Sequence, residues 1–97
     1  MKGENMVYRV TYQDDDTIKI VGDFDTLAKA EKVLREKAVE LQAEAGNNGL
    51  NARIEWITGN KTFVLGTWKG ETEYTITYRE CVCSIAAVDE CGNYHSV

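Results

Sequence analysis

The 97-residue sequence contains no proline. That excludes kinked linkers and slow prolyl isomerisation from what has to be explained. No run approaches the ~18 consecutive apolar residues of a membrane-spanning helix, and the opening Met1-Lys2-Gly3-Glu4-Asn5 lacks the apolar core of a signal peptide. Basic residues are in deficit: 11 lysines and arginines face 16 aspartates and glutamates, for a net charge of -5. A field of that sign opposes phosphate backbones, so nucleic acid is not the expected partner. Histidine occurs once and cysteine three times. An odd thiol count fits reduced cysteines better than a disulfide framework, so the expected location is the cytoplasm. There is neither a low-complexity run nor an internal repeat, and the length suits a single domain over residues 1–97 with a modest core.

The strongest pattern that is present runs from Asp25 to Ala45. Leu27, Ala30, Leu34, Ala38, Leu41 and Ala45 recur at spacings of three and four, which predicts one apolar stripe on a helix, widened by Val33. Most of the other positions are charged and predict a solvated face. Asp25 is expected to cap the first turn and Gly46 to end the last. Such a rod is roughly 30 Å long at ~1.5 Å per residue, and its stripe needs a sheet to cover it.

The flanking segments supply that sheet. Met6, Tyr8, Val10 and Tyr12 alternate on one predicted strand, and Ile18, Ile20, Gly22 and Phe24 are expected to form one face of a second. The three aspartates between them, Asp14 to Asp16, lack the spaced ligands and fixed glycine of a calcium loop and read as a solvated turn. After the Gly46-Asn47-Asn48-Gly49 loop, Ala52, Ile54 and Trp56 mark a third strand. Phe63, Leu65 and Thr67 mark a fourth, and Tyr74, Ile76 and Tyr78 a fifth. The alternation fails at Arg79-Glu80, and the following Cys81 to Val88 is apolar on both faces. A bend there, or pairing with two different neighbours, is expected, because an unbroken strand from Thr72 would far exceed the usual length. The fold predicted is α+β: an antiparallel sheet of five or six strands in ββαββ order plus a C-terminal strand, with one long helix on one face.

The strand Tyr8-Arg9-Val10-Thr11-Tyr12, the Ile20-Val21-Gly22 strand end and the helix opening Phe24-Asp25-Thr26 with Lys29-Ala30-Glu31 resemble the start of small uncharacterised phage and prophage proteins. The resemblance covers about the first 45 residues and brings no catalytic residue. It implies a bacterial or mobile-element accessory protein.

Chemistry-bearing residues concentrate at the other end. Cys81, Cys83, Cys91 and His95 are the donor set of a structural zinc site. Against this, an extended chain places Cys91 roughly 25 Å beyond Cys83, so a bend near Ser84 or ligands from a second copy would be required. Small buried thiols are the plainer account, and no cofactor is expected. Cys91 with His95 as a base lacks an evident orienting group, so no catalytic residue is assigned and an enzyme is not expected. Trp56, Trp68, Tyr12, Tyr74 and Tyr78 are expected to pack the core, with a ligand pocket or a catalytic site as the alternative. Trp68 shares a strand face with Thr62 and Val64, opposite Phe63 and Leu65, and these three are the candidate interaction surface. The function expected is therefore a non-enzymatic protein-interaction module. A homodimer through an edge strand or the uncovered sheet face is one form of it, since one helix about 10 Å across cannot cover both faces.

Overall fold

The structure, a computed structural model, describes residues 6–14, 16–57, 59, 61–70 and 77–97. Along the chain lie β1 (Val7–Asp14), β2 (Thr17–Phe24), α1 (Leu27–Asn47), β3 (Asn51–Ile57), β4 (Thr62–Lys69), β5 (Thr77–Val88) and β6 (Tyr94–His95). All strand pairs are antiparallel, in the order β2-β1-β5-β4-β3 with β6 also beside β5. The single helix lies on one face of this open sheet, which is the predicted α+β arrangement. Among the described residues no helix is long and apolar enough to cross a membrane.

The helix boundaries differ from expectation at both ends. Thr26, not Asp25, is the N-cap: its backbone is extended and its Oγ1 accepts the Lys29 N–H at 3.2 Å. Asp25 stands one residue too far out and instead pairs with Lys29 Nζ at 2.9 Å, which lowers its carboxyl pKa. At the C-terminus the helix continues through Gly46. Gly49, at φ 74°, takes the left-handed position, with Leu50 N–H donating to Ala45 O at 2.9 Å and Gly49 N–H to Gly46 O at 3.0 Å. These two bonds satisfy carbonyls that the last turn leaves open, which is why the second glycine of the loop matters and the first does not.

The predicted stripe is the buried one: Ala30, Leu34, Ala38, Leu41 and Ala45 pack over the sheet. Beneath them sit Val10, Phe63, Leu65, Cys81, Cys83 and Ile85, with Val10, Leu34, Phe63 and Cys83 fully excluded from solvent. Each such large side chain contributes roughly 1.5–3 kcal/mol on burial.

The strand β5 is where register decides the fold. No bend occurs at Arg79-Glu80: the strand runs 12 residues with constant register to both neighbours. Its first part, from Thr77 to Ser84, pairs with β4, its later part, from Cys81 to Val88, pairs with β1, and Ala87 and Val88 also pair with β6. Changing partners, the second of the two expected solutions, is what sustains its length. Tyr74 and Ile76, assigned to a separate strand, lie outside the described residues.

The irregularity falls in β2 instead. Val10 is opposite Gly22 but Thr11 is opposite Ile20, so Val21 is an extra residue, a β-bulge. The bulge reverses the alternation along the strand. Gly22 and Phe24 stay on the helix side beside Val10 and Tyr8, whereas Ile18 and Ile20 turn to the other face beside Gln13 and Thr11. The expectation of one shared face for Ile18, Ile20, Gly22 and Phe24 is corrected accordingly. Gly22 leaves room for the Phe24 ring, because a Cβ there would lie 2.9 Å from the Phe24 Cζ and the ring would have to shift.

Candidate functional site

The face turned away from α1 is built from alternate residues of each strand, and the register aligns them in rows across the sheet. One row reads Ile20, Thr11, Ser84, Thr62, Ile57 from β2 to β3. Its centre is hydroxylic, with Thr11 Oγ1 and Ser84 Oγ 3.4 Å apart, and its ends are branched aliphatics. Ile20 is 57% and Ile57 42% exposed. The next row reads Ile18, Gln13, Val82, Val64, Glu55, and Ile18 is 65% exposed. Short side chains keep the middle of the face flat, and the larger apolar groups stand at its two margins.

The three residues picked out by alternation lie on this face, all on β4. Thr62 belongs to the hydroxyl row and Val64 to the row beside it. Trp68 is opposite Asn51 and Tyr78, about 20 Å further along the strand at ~3.3 Å per residue. It is half-buried, and its Nε1 is buried with no hydrogen-bond partner among the described residues. Alternation alone did not find Ile18 and Ile20, because the bulge that redirects them is not written in the periodicity. The one signal was Gly22 inside a strand, a common mark of a bulge.

A polar clamp closes the opposite end of the face. Arg9 donates from Nε and Nη2 to both carboxylate oxygens of Asp23, at 2.8 and 3.0 Å, and from Nη1 to the Tyr94 hydroxyl at 2.9 Å. The guanidinium also lies 5.6 Å from the centre of the Tyr94 ring. The forked hydrogen bonds from Arg9 hold the Asp23 carboxyl below its ordinary range, and the same bonds raise the Arg9 pKa. Asp23 on β2, Arg9 on β1 and Tyr94 on β6 are thereby tied across the sheet.

The four cysteine and histidine positions do not come together. Cys81 and Cys83 lie buried on the helix side of β5, and burial pushes the Cys83 thiol up to about 12. Cys91 is exposed in the turn after β5, and His95 stands beside Ala87 in β6. The unbroken register past Ser84 lacks the bend that convergence would need, and among the described residues no three His, Cys, Asp or Glu are grouped to hold a metal. His95 Nε2 is instead 2.8 Å from Asp89 Oδ2, and Asp89 Oδ1 accepts the backbone N–H groups of Cys91 and Asn93. The hydrogen bond from His95, then that from Asn93, holds the Asp89 carboxyl down at about 2. This carboxylate is a third group next to the histidine, but it organises the turn, and no hydrogen bond joins Cys91 to His95 among the described residues.

The aromatic residues are divided between the faces. Trp56 meets Phe63 edge-on at 5.2 Å on the helix side, whereas Trp68 is on the other. Tyr12 lies under Lys37, whose Nζ is 5.6 Å from the ring centre, and burial raises the phenol pKa. A cleft of about 590 Å³ beside it is lined by Asp14, Thr17, Lys19, Ile20, Val21, Lys37, Leu41 and Glu44, with Tyr12 as its one aromatic wall. Tyr74 lies outside the described residues.

No family model, no curated protein and no solved structure matches the chain.

Proposed function

We propose that the protein is a non-enzymatic protein-interaction module that meets its partner through the sheet face opposite α1. The observation that carries this reading is the exposure of Ile18, Ile20 and Ile57 on that face, with Tyr94 at its border 53% exposed. Branched aliphatics gain roughly 1.5–3 kcal/mol each when fully buried, so three of them exposed on one face favour a surface that covers it. Charge supports a protein partner over a polyanion. Among the described side chains the face carries Arg9 and Arg53 against Asp23 and Glu55, two charges of each sign. The likeness of the first 45 residues to phage and prophage proteins supports an accessory role, in the cytoplasm of a bacterium or of a phage-infected cell. Self-association as a homodimer is one form of this function.

A photo-crosslinking residue at Ile20 tests the reading in cells, with the same residue at Val39 as control. Val39 is 68% exposed on the outer side of α1. Protein adducts at position 20 and none at position 39 are expected. Absence of adducts at both, or equal adducts at both, overturns the reading.

A further inference from the structure

We infer that the outer edge of β3 pairs with the same edge of a second copy, the two strands antiparallel and Ile54 opposite Ile54. The sheet path ends in two edge strands, β2 and β3, and they are built differently. β2 carries the bulge at Val21 and an exposed lysine, Lys19, both of which keep a foreign strand off. β3 has neither: its seven residues hold constant register with β4, and its only charges, Arg53 and Glu55, are of opposite sign. Its outer edge has no strand beside it among the described residues. Two exposed large apolar side chains, Trp56 at 38% and Ile57 at 42%, also stand on this strand.

Charge complementarity selects the occupant and its register. A two-fold axis normal to the sheet runs the two strands antiparallel and sets helix-side residues opposite helix-side residues. Centred on Ile54, it pairs the whole of β3: Arg53 lies opposite Glu55 twice, Ala52 opposite Trp56 twice, and Asn51 opposite Ile57. Opposite charges directly across a ladder stabilise it and like charges destabilise it. The neighbouring symmetric registers, centred on residue 53 or 55, set Arg53 against itself or Glu55 against itself and pair fewer residues. The longest register is therefore the one that charge favours, and the small Ala52 leaves room for the Trp56 indole. A second copy supplies this order of side chains by symmetry. Growth also stops at two copies, because each β3 edge is used once and the outermost strands of the joined sheet are the two β2 strands, with their bulge and lysine. This pairing goes beyond the contact surface proposed above: it leaves the open face uncovered and brings the open faces of both copies to the same side of one continuous sheet.

Sedimentation of the purified full chain from micromolar to millimolar concentration tests the inference, and a shift to the mass of two chains is expected. Arg53→Glu and Glu55→Arg each set like charges opposite one another and should raise the dissociation constant roughly tenfold or more. The double variant Arg53→Glu/Glu55→Arg restores opposite charges in the reverse sense and should recover most of the wild-type affinity. Both side chains are exposed, so the variants should keep the wild-type circular dichroism. Should one unfold, hydrogen exchange of the wild type decides: the β3 amides should gain protection with rising concentration and those of β2 should not. A monomer at all concentrations, single reversals without effect, a double variant no tighter than the single ones, or protection absent from β3 or equal on β2 overturns the pairing. Crosslinking at position 20 reports on the open face separately. Adducts there from a chain that is monomeric in solution would refute the β3 pairing and leave the contact surface standing, and a β3 dimer without adducts would do the reverse.

Discussion

The two faces of the sheet come from the same strands, alternate residue by alternate residue, yet they are built to different rules. The helix side uses Val10, Phe63, Leu65, Cys83 and Ile85, side chains of varied shape sealed beneath the alanine and leucine stripe of α1. The other side uses Thr11, Ser84, Thr62, Val64 and Ala86, short groups along its middle, with Arg9 and Trp68 towards its two ends and isoleucines on its edge strands. An interior is filled by interdigitation, which tolerates no loss of volume, whereas an open face is under no such demand. The difference teaches that binary apolar content alone does not separate the covered face from the open one here.

Substitution and labelling can break that comparison. The largest contrast should be kinetic: Cys91 is exposed while Cys81 and Cys83 are buried, so a thiol reagent at neutral pH should modify one site fast and the other two only through unfolding. Their rates should differ by roughly 10³-fold or more, and three equal rates would place the β5 cysteines at the surface. Next, Phe63→Ala should cost about 3–5 kcal/mol in urea unfolding, whereas Ile20→Ser on the open face of the monomer should stay within about 0.5 kcal/mol. Comparable losses would remove the distinction between the faces.

Gly22→Ala should cost about 1–3 kcal/mol by crowding the Phe24 ring, and pairing it with Phe24→Leu should recover part of that. No loss would show that the bulge has room to spare. At the helix start, Thr26→Ala should cost about 1 kcal/mol and Asp25→Ala less than half of that, an order that reverses if Asp25 is the cap after all. The smallest effect is in the β5–β6 turn. The Asp89 carboxyl is depressed from 3.8 to about 2 in the folded chain, so it stabilises the turn fully above its ordinary value and loses that contribution as pH falls through about 2. Amide signals of Cys91 and Asn93 followed by NMR should therefore show a transition centred at about pH 2 rather than near 3.8, and Asp89→Asn should remove it.

Much of the helix side was legible in the sequence because burial imposes a period. The spacing of Ala30, Leu34, Ala38 and Leu41, and the alternation of Phe63 and Leu65, each state a face directly. Three things were not legible, for different reasons. The cap could be either of two adjacent residues, and backbone geometry chose Thr26. The bulge at Val21 costs the sequence nothing visible beyond Gly22, yet it moves Ile18 and Ile20 across the sheet. The apolar character of β5 on both faces suggests irregularity by period alone, but it reflects a central strand, buried under α1 on one side. Of the candidate surface, Thr62 and Val64 followed from alternation. The hydroxyl row needed the register of all five strands, a long-range property that no single segment carries.

The position of β5 also sets an order of events. Two hairpins, β1–β2 and β3–β4, close on local contacts, but β1 and β4 do not touch in the sheet: each pairs with β5. As the ribosome delivers the chain, both hairpins are complete before β5 appears, and until it inserts between them only α1 can bridge them. The stripe of α1 stays without its full covering for the same interval. Assembly therefore hinges on late, sequence-distant pairing, which predicts slow folding for a chain of this length and transient exposure of two strand edges that the finished sheet hides.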